Sequence, residues 1–272
     1  MTESDTTLRA LFWDVDGTLA ETERDGHRVA FNRAFEAVGL PWRWDVSRYG
    51  ELLSVAGGRE RLIADLETRG DAPTDRDERE ALAAELHRKK NDFYAEIVND
   101  LELDLREGVA ELMDECMQRG LPMAVTTTTS RSNLDALMRV HFRAGWKQRF
   151  AAIINGEDVA EKKPHPEVYQ KALKQVGVAP ASVVAIEDSP DGVTAARRAG
   201  VAVIVTRSVY FSHAPVDGAV AVGPGLHTRE GWEPGPPAGK GDHVRLDDIA
   251  HWHTQFHDNP SPKPADAKPA SL

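Results

Sequence analysis

Short apolar runs that end in polar residues occur once near the start of the chain and repeatedly in its second half. The runs LRALFWDVD (8–16), LPMAVTT (121–127), AAIIN (151–155), VVAIE (183–187) and VAVIVT (201–206) read as buried strands. Helical periodicity fills the gaps between the later ones, at 107–119, 131–142, 165–176 and 190–199. In helix 107–119 Val109, Leu112, Met113 and Cys116 share one face, so the cysteine reads as core filling. Gly120, Gly177 and Gly200 supply helix stops, and Pro190 suits a first helical position. Strands alternating with amphipathic helices predict an α/β fold whose parallel sheet is covered on both faces.

A different pattern fills residues 21–104, where no strand is expected. A helix over 27–38 carries Val29, Phe31, Ala34, Phe35 and Val38 and stops at Gly39. A second starts near Gly58, and a polar loop at 67–77 leads into a long helix with Leu82, Leu86, Phe93 and Ile97 on one face. The stretch 40–57, with Trp42, Trp44 and Tyr49, carries no clear period and reads as core or cleft wall. The expected organisation is a core from 1–20 and 105–258 with an all-helical insertion at 21–104. Residues 223–241 hold six glycines and four prolines and read as a long irregular loop. A last helix is predicted at about 246–257, with His251, His253 and His257 on an exposed amphipathic end, and the tail from Asn259 is expected to be disordered.

The chain has 272 residues, 33 basic and 44 acidic, for a net charge of −11. That balance argues against a nucleic-acid partner, which needs a basic face, but leaves small anionic substrates open. A single cysteine excludes an internal disulfide. No apolar run approaches ~18 residues and the N-terminus lacks signal-peptide blocks, so a cytoplasmic protein without a membrane partner is expected.

Parallel sheets place ligands beyond the carboxyl ends of their strands. That rule singles out Asp14, Asp16, Thr127, Glu187 and Asp188. Asp16-Gly17 alone reads equally well as a turn, and Glu187-Asp188 alone as a solvated acidic turn. Two acidic pairs converging on one sheet edge would repel each other unless a cation joined them. All-oxygen ligands on a rigid frame suit Mg²⁺, with Asp14, Asp16, Glu187 and Asp188 as candidate ligands. Even with Mg²⁺ and one lysine the set stays negative, so an anionic substrate needs further cations elsewhere. Lys163, in EKKPHPEVY, is either a surface lysine or that inner cation. In VTTTTS, Thr127, Thr128, Thr129 and Ser130 could cradle an anion at the start of helix 131–142. The plainer alternative is strand filling followed by an N-cap at Ser130.

Taken in order, D14-V-D16-G-T18-L, a threonine at a strand end, K163-P and E187-D188 resemble the haloacid dehalogenase superfamily of phosphohydrolases over roughly residues 8–206. The resemblance implies a Rossmann-like parallel-sheet core with an inserted all-helical cap. It implies that Asp14 is the nucleophile forming an aspartyl-phosphate and that Asp16 is the general acid and then base. It gives Mg²⁺ to the Asp14 carboxylate, the Asp16 carbonyl and Asp188, with Glu187 in support, and the phosphoryl oxygens to Thr127 and Lys163. Asp16 disfavours dehalogenation, because a leaving halide needs no proton.

The finer resemblance is to the CbbY-like branch of sugar-phosphate phosphatases, through DVDGTLAETERDGHRVAFNRAF, W42-R43-W44, YGELL and AGGRERL. It implies a small sugar bisphosphate, xylulose 1,5-bisphosphate first, contacted by Glu23, Gly57, Gly58, Arg59, Glu60 and Arg61. Independently, Arg59 and Arg61 beside a Gly-Gly turn offer planar donor forks to a second phosphate, or else form a solvated helix start. Two arginines near a helix N-terminus oppose its dipole, so something must compensate them. His27 reads as a packing residue. The alternatives are a β-phosphoglucomutase-type phosphomutase, a broad sugar monophosphate phosphatase and a catalytically idle binding protein. A monomer is expected.

Overall fold

The computed structural model describes residues 7–55, 57–100, 103–239 and 241–258, so the tail expected from Asn259 lies outside the described residues. Six strands, β1 (Ala10–Trp13), β2 (Met123–Thr126), β3 (Ala152–Ile154), β4 (Val183–Glu187), β5 (Ala202–Thr206) and β6 (Ala221–Gly223), form one sheet. Their order is β3-β2-β1-β4-β5-β6 and every pair is parallel. This is the doubly wound order in which connections run outward in both directions from the centre, leaving a crevice at the β1–β4 switch.

β1 is apolar at all four positions because both of its faces are covered. Leu11 and Trp13 point into a core shared with α5 (Val109–Gln118), α6 (Arg131–Phe142) and α9 (Leu246–Asp258). Ala10 and Phe12 point the other way, towards α7 (Glu167–Val176) and α8 (Pro190–Arg198). Between β1 and α5 the elements are helical: a π-helical turn at Thr22–His27, then α1 (Arg28–Ala37), α2 (Val46–Leu52), α3 (Gly58–Thr68) and α4 (Arg76–Asn99). They enclose a separate aromatic core of Phe31, Phe35, Trp42, Trp44 and Tyr49, with the Trp44 indole donating to Asp65 at 2.9 Å. The Tyr94, Ile97 and Val98 end of α4 instead joins the core under the sheet.

Several expectations change. α2 was not predicted; seven residues are too few to show a period, and its visible signal is Asp45, whose carboxylate accepts from the Arg48 amide at 2.8 Å. The sixth strand was also missed, because three residues cannot establish a pattern. The glycine- and proline-rich stretch is irregular, as expected, but held in place: Val222 pairs antiparallel with Glu233, and the Trp232 ring stacks on Trp252 at 4.6 Å. Trp252 donates to the Pro234 carbonyl at 3.0 Å, and Arg229 holds Asp248 at 2.8 Å. The histidine end of α9 is not exposed. His253 is 1% accessible, and His253 and His257 each lie 2.8 Å from the Ala181 carbonyl. Cys116 packs as expected, its thiol pushed up to about 12 by burial. No described helix is long and apolar enough to cross a membrane.

The turn after β3 lies against the threonine loop after β2, where the Gly156 amide donates to the Thr129 carbonyl at 2.9 Å. A side chain at Gly156 would overlap the Thr128 carbonyl oxygen and lie 2.9 Å from its carbon, and backbone cannot swing aside. Gly156→Ala is therefore expected to cost about 1–3 kcal/mol as overpacking. Thermal unfolding followed by circular dichroism checks this, and an unchanged midpoint would refute it.

Candidate active site

The β1 strand delivers Asp14 to the sheet edge in register, its amide donating to the Ile186 carbonyl of β4 at 3.1 Å. β4 delivers Glu187 and Asp188 beside it. Gly17, at φ +81°, turns the chain back, and a Cβ there would overlap the Asp188 carboxylate. Only glycine lets the turn come so close. Carboxylate oxygens of Asp14, Glu187 and Asp188 all lie within 4.8 Å of one another, and all three residues are buried.

Lys163 bridges this group. Its Nζ donates to Asp14 Oδ1 and to Glu187 Oε1, each at 2.6 Å, and the Tyr169 hydroxyl also donates to Glu187 Oε1. Ser208 Oγ donates to Asp188 Oδ2 at 2.6 Å. Glu187 Oε2 is buried without a hydrogen-bond partner. Burial, reinforced by the charge of Glu187, pushes Asp14 up to about 7. Burial and the Asp14 charge push Asp188 well above the usual carboxylate range. Although burial opposes it, the two neighbouring carboxylates hold the Lys163 ammonium well above its ordinary value. One lysine does not neutralise three acids. An all-oxygen cluster with surplus negative charge and an unsatisfied acceptor fits a hard divalent cation of the Mg²⁺ type.

Asp16 does not join the three. Its Oδ1 accepts from Thr22 Oγ1 at 2.6 Å and lies 3.1 Å from His27 Nε2. Burial alone would raise its pKa, but His27 and the Thr22 hydrogen bond outweigh that and hold it at about 2. His27 thus does more than pack on Tyr94, whose ring lies 4.3 Å away. Its distance of eleven residues from Asp16, one turn into the first helical segment, was the available signal.

The threonine loop sits on the β2 side. Thr128, Thr129 and Ser130 line the cleft, whereas Thr127 is fully buried behind it with Oγ1 accepting from the Thr129 amide at 3.1 Å. Ser130 also caps α6, accepting from the Asn133 amide at 3.3 Å. Across a cleft of about 580 Å³ stand residues of the helical segment, among them Glu23, Gly57, Gly58 and Lys90. The structure separates the two arginines that the sequence treats alike. Arg61 is buried, donating to Tyr49 at 2.7 Å and lying 3.5 Å from Glu23, and the Tyr49 hydroxyl also donates to Glu23. Arg59 is half exposed, 3.7 Å from Glu80. Both arginines are thus compensated by carboxylates of the chain itself. Glu60 reaches over the mouth of the cleft to Lys162 at 2.8 Å.

Lys90 was missed by the sequence reading. Its ammonium is buried over the Phe31 and Tyr94 rings, at 5.4 and 5.1 Å, with Asn91 Oδ1 at 3.4 Å. Burial pushes it down to about 8, even though the Glu23 and Asp16 charges favour the ammonium form.

Comparison with known proteins places this geometry. The haloacid dehalogenase-like hydrolase family matches residues 8–200. The plasmid-borne CbbY protein of Cupriavidus necator is 42% identical over 255 residues, covering 90% of this chain and 97% of that one. The CbbY protein of Rhodobacter capsulatus is 45% identical over 203 residues, covering 75% and 87%. A crystal structure of mutant CbbY from Rhodobacter sphaeroides in complex with xylulose-(1,5)bisphosphate superposes with a TM-score of 0.72 at 40% identity, covering 78% of this chain and 92% of that one. The family match runs from the first strand through the helix after the second acid pair. The protein therefore belongs to the haloacid dehalogenase-like hydrolases and, within them, is a CbbY-like phosphatase.

Proposed function

We propose that this phosphatase hydrolyses a small sugar bisphosphate, xylulose 1,5-bisphosphate first, through a phosphoryl-aspartate on Asp14. The observation that carries the reading is one cleft with two chemically different walls. One wall holds Asp14, Lys163 and Asp188, and the other holds the buried cations Arg61 and Lys90. A phosphate reacting at the first wall leaves the second wall free for another anionic group. The complex of the related CbbY with xylulose-(1,5)bisphosphate supports the same choice.

In this reading residues 21–104 form a cap over the core made of 1–20 and 105–258. Asp14, Asp188 and the Asp16 carbonyl hold Mg²⁺, with Glu187 beside them. Bound there, Mg²⁺ would offset the acid cluster and the phosphoryl charge. Lys163 fixes Asp14 through Oδ1, leaving Oδ2 to attack phosphorus as the bond to the sugar oxygen breaks. Asp16 gives that oxygen its proton, and then takes one from the water that attacks the phosphoryl-aspartate, restoring Asp14 and releasing phosphate. An incoming phosphate dianion raises the proton affinity of Asp16 by like-charge repulsion, which is what an acid normally held at about 2 requires. Thr128, Thr129 and Ser130 supply amides and hydroxyls to phosphoryl oxygens, Thr127 supports that loop from behind, and Lys163 supplies the charge. Gly57, Gly58, Arg59, Arg61 and Glu23 face the sugar and its second phosphate. The reading assigns all of these groups to one chain and takes the protein to act as a monomer.

The direct test is phosphate release with Mg²⁺ from a panel of sugar mono- and bisphosphates that includes xylulose and ribulose 1,5-bisphosphates. Phosphorus NMR of the products identifies free phosphate. Isomerised sugar phosphate would point to a mutase, and no turnover across the panel would overturn the reading.

Two substitutions sharpen it. Asp14→Asn is expected to lower turnover by more than about a thousandfold. Because Asp14 titrates at about 7 rather than 3.8, the metal-free fold binds a proton that the unfolded chain has released, and loses stability as pH rises through that window. Asp14→Asn should therefore melt no lower than the parent at pH 8 in chelator. Lys90→Met is expected to raise KM for the bisphosphate about 10–100-fold, the loss of one charge-assisted hydrogen bond. It should also raise the melting midpoint, since it removes a buried ammonium. With Lys90 at about 8 against 10.5, the unfolded chain binds more protons between those values, so parent stability gains a rising component there. That component should vanish in Lys90→Met.

A further inference from the structure

The return linker from the helical segment to α5 carries Arg106, a residue to which neither the motifs nor the proposed mechanism gives a task. Its backbone amide donates to the Leu19 carbonyl at 2.7 Å, pairing the outgoing and returning linkers. Its guanidinium reaches the exits of three strands. Nη1 donates to the Gly17 carbonyl beyond β1, and lies 3.2 Å from Thr206 Oγ1 and 3.3 Å from the Thr206 carbonyl at the end of β5. Nη2 donates to the Arg207 carbonyl at 2.6 Å and, beyond β6, to the Pro224 carbonyl at 3.1 Å. Its Nε lies 3.9 Å from Glu21, and the side chain is 15% exposed. All of these partners but Glu21 are neutral, so the guanidinium is desolvated without full charge compensation, and its burial lowers its pKa.

We infer that Arg106 is a positioning residue that fixes the Asp16–Thr18 turn from behind and braces it against the β5 and β6 exits. Gly17 is where the turn closes on Asp188, so a clamp on its carbonyl sets the spacing between the two motifs. The β5 exit completes the clamp from the other side: Ser208, two residues beyond Thr206, holds Asp188 at 2.6 Å, and the Val209 amide lies 3.3 Å from Glu21. Glycine- and proline-rich residues after β6, without a role in the sequence reading, furnish the third anchor. Trp232 pins that stretch through its indole donor to Thr228 at 3.0 Å and its stack on Trp252. Five donors in a rigid planar fork can serve several carbonyls at once; a lysine ammonium is a single point and cannot span them.

The inference rests on the roles proposed for Asp14 and Asp16, but its test does not need the sugar substrate. Hydrogen exchange of the peptide covering 15–20, measured without metal, reads the turn directly. Hydrolysis of p-nitrophenyl phosphate reads its consequence. Arg106→Lys is expected to speed exchange in that peptide, lower kcat about 10–100-fold and change KM less than about threefold, the signature of misplaced rather than missing catalytic groups. The Mg²⁺ concentration for half-maximal rate should rise as well. Guanidinium ion added to Arg106→Ala should restore part of kcat. Parent-like exchange and kcat in Arg106→Lys would overturn the inference, as would an activity loss without faster exchange. If neither variant unfolds cooperatively, Arg106 is a folding residue and the inference falls. If the parent hydrolyses no sugar phosphate, the exchange result still decides the positioning role.

Discussion

Three buried carboxylates held within 4.8 Å of one another set the terms for the rest of the molecule. Two like charges about 4 Å apart repel by about 4 kcal/mol at an effective dielectric near 20, several times the net worth of a typical hydrogen bond. Such a cluster survives only on a frame that cannot relax, and adjacent parallel strands covered on both faces provide one. The lysine that bridges two of the acids reduces the repulsion without cancelling it. The balance must come from a proton, which burial and the Glu187 charge favour on Asp14 by pushing it up to about 7, or from a cation.

The same surplus of negative charge explains the division of labour across the cleft. A phosphate dianion gains little from an inner wall that carries surplus negative charge, so binding energy has to come from cations on the other wall. The helical segment supplies them, and it cannot do so without cost. Arg61 is compensated by Glu23 and Tyr49, packed against the aromatic core that rigidifies it. Lys90 rests on ring faces and an amide oxygen, an arrangement that leaves its charge available to an incoming anion.

Much of this was legible in the chain. Strands buried on both faces announce themselves as continuous apolar runs, and the strand-end rule led from those runs to Asp14, Glu187 and Asp188. What stayed hidden falls into two classes. Elements of three to seven residues, β6 and α2, are too short to carry a period. Contacts made across long separations, such as Ser208 with Asp188 and Arg106 with Gly17, leave no local pattern. The two arginines of α3 are a different lesson. Residues two apart on a helix face different directions: Arg59 and Arg61 both line the cleft, but Arg61 is buried beside Glu23 whereas Arg59 is half exposed beside Glu80. The histidines of α9 were misjudged for a related reason: His253 and His257 share a face, and that face turned out to be the one packed against the turn at Ala181.

The placement of Asp16 ties catalysis to the helical segment under the proposed roles. Its carboxylate is oriented by Thr22 and His27, both in the first turn after the outgoing linker, while its neighbour Gly17 is clamped from the returning one. A rotation of the helical segment about the paired linkers at Leu19 and Arg106 would carry Thr22 and His27 with it and leave the Asp14 side of the site in place. Asp14 is thus fixed by the sheet, whereas Asp16 is oriented by the helical segment. Under the proposed roles the acid's placement, unlike the nucleophile's, depends on the helical segment, and that asymmetry follows from which elements hold which oxygen.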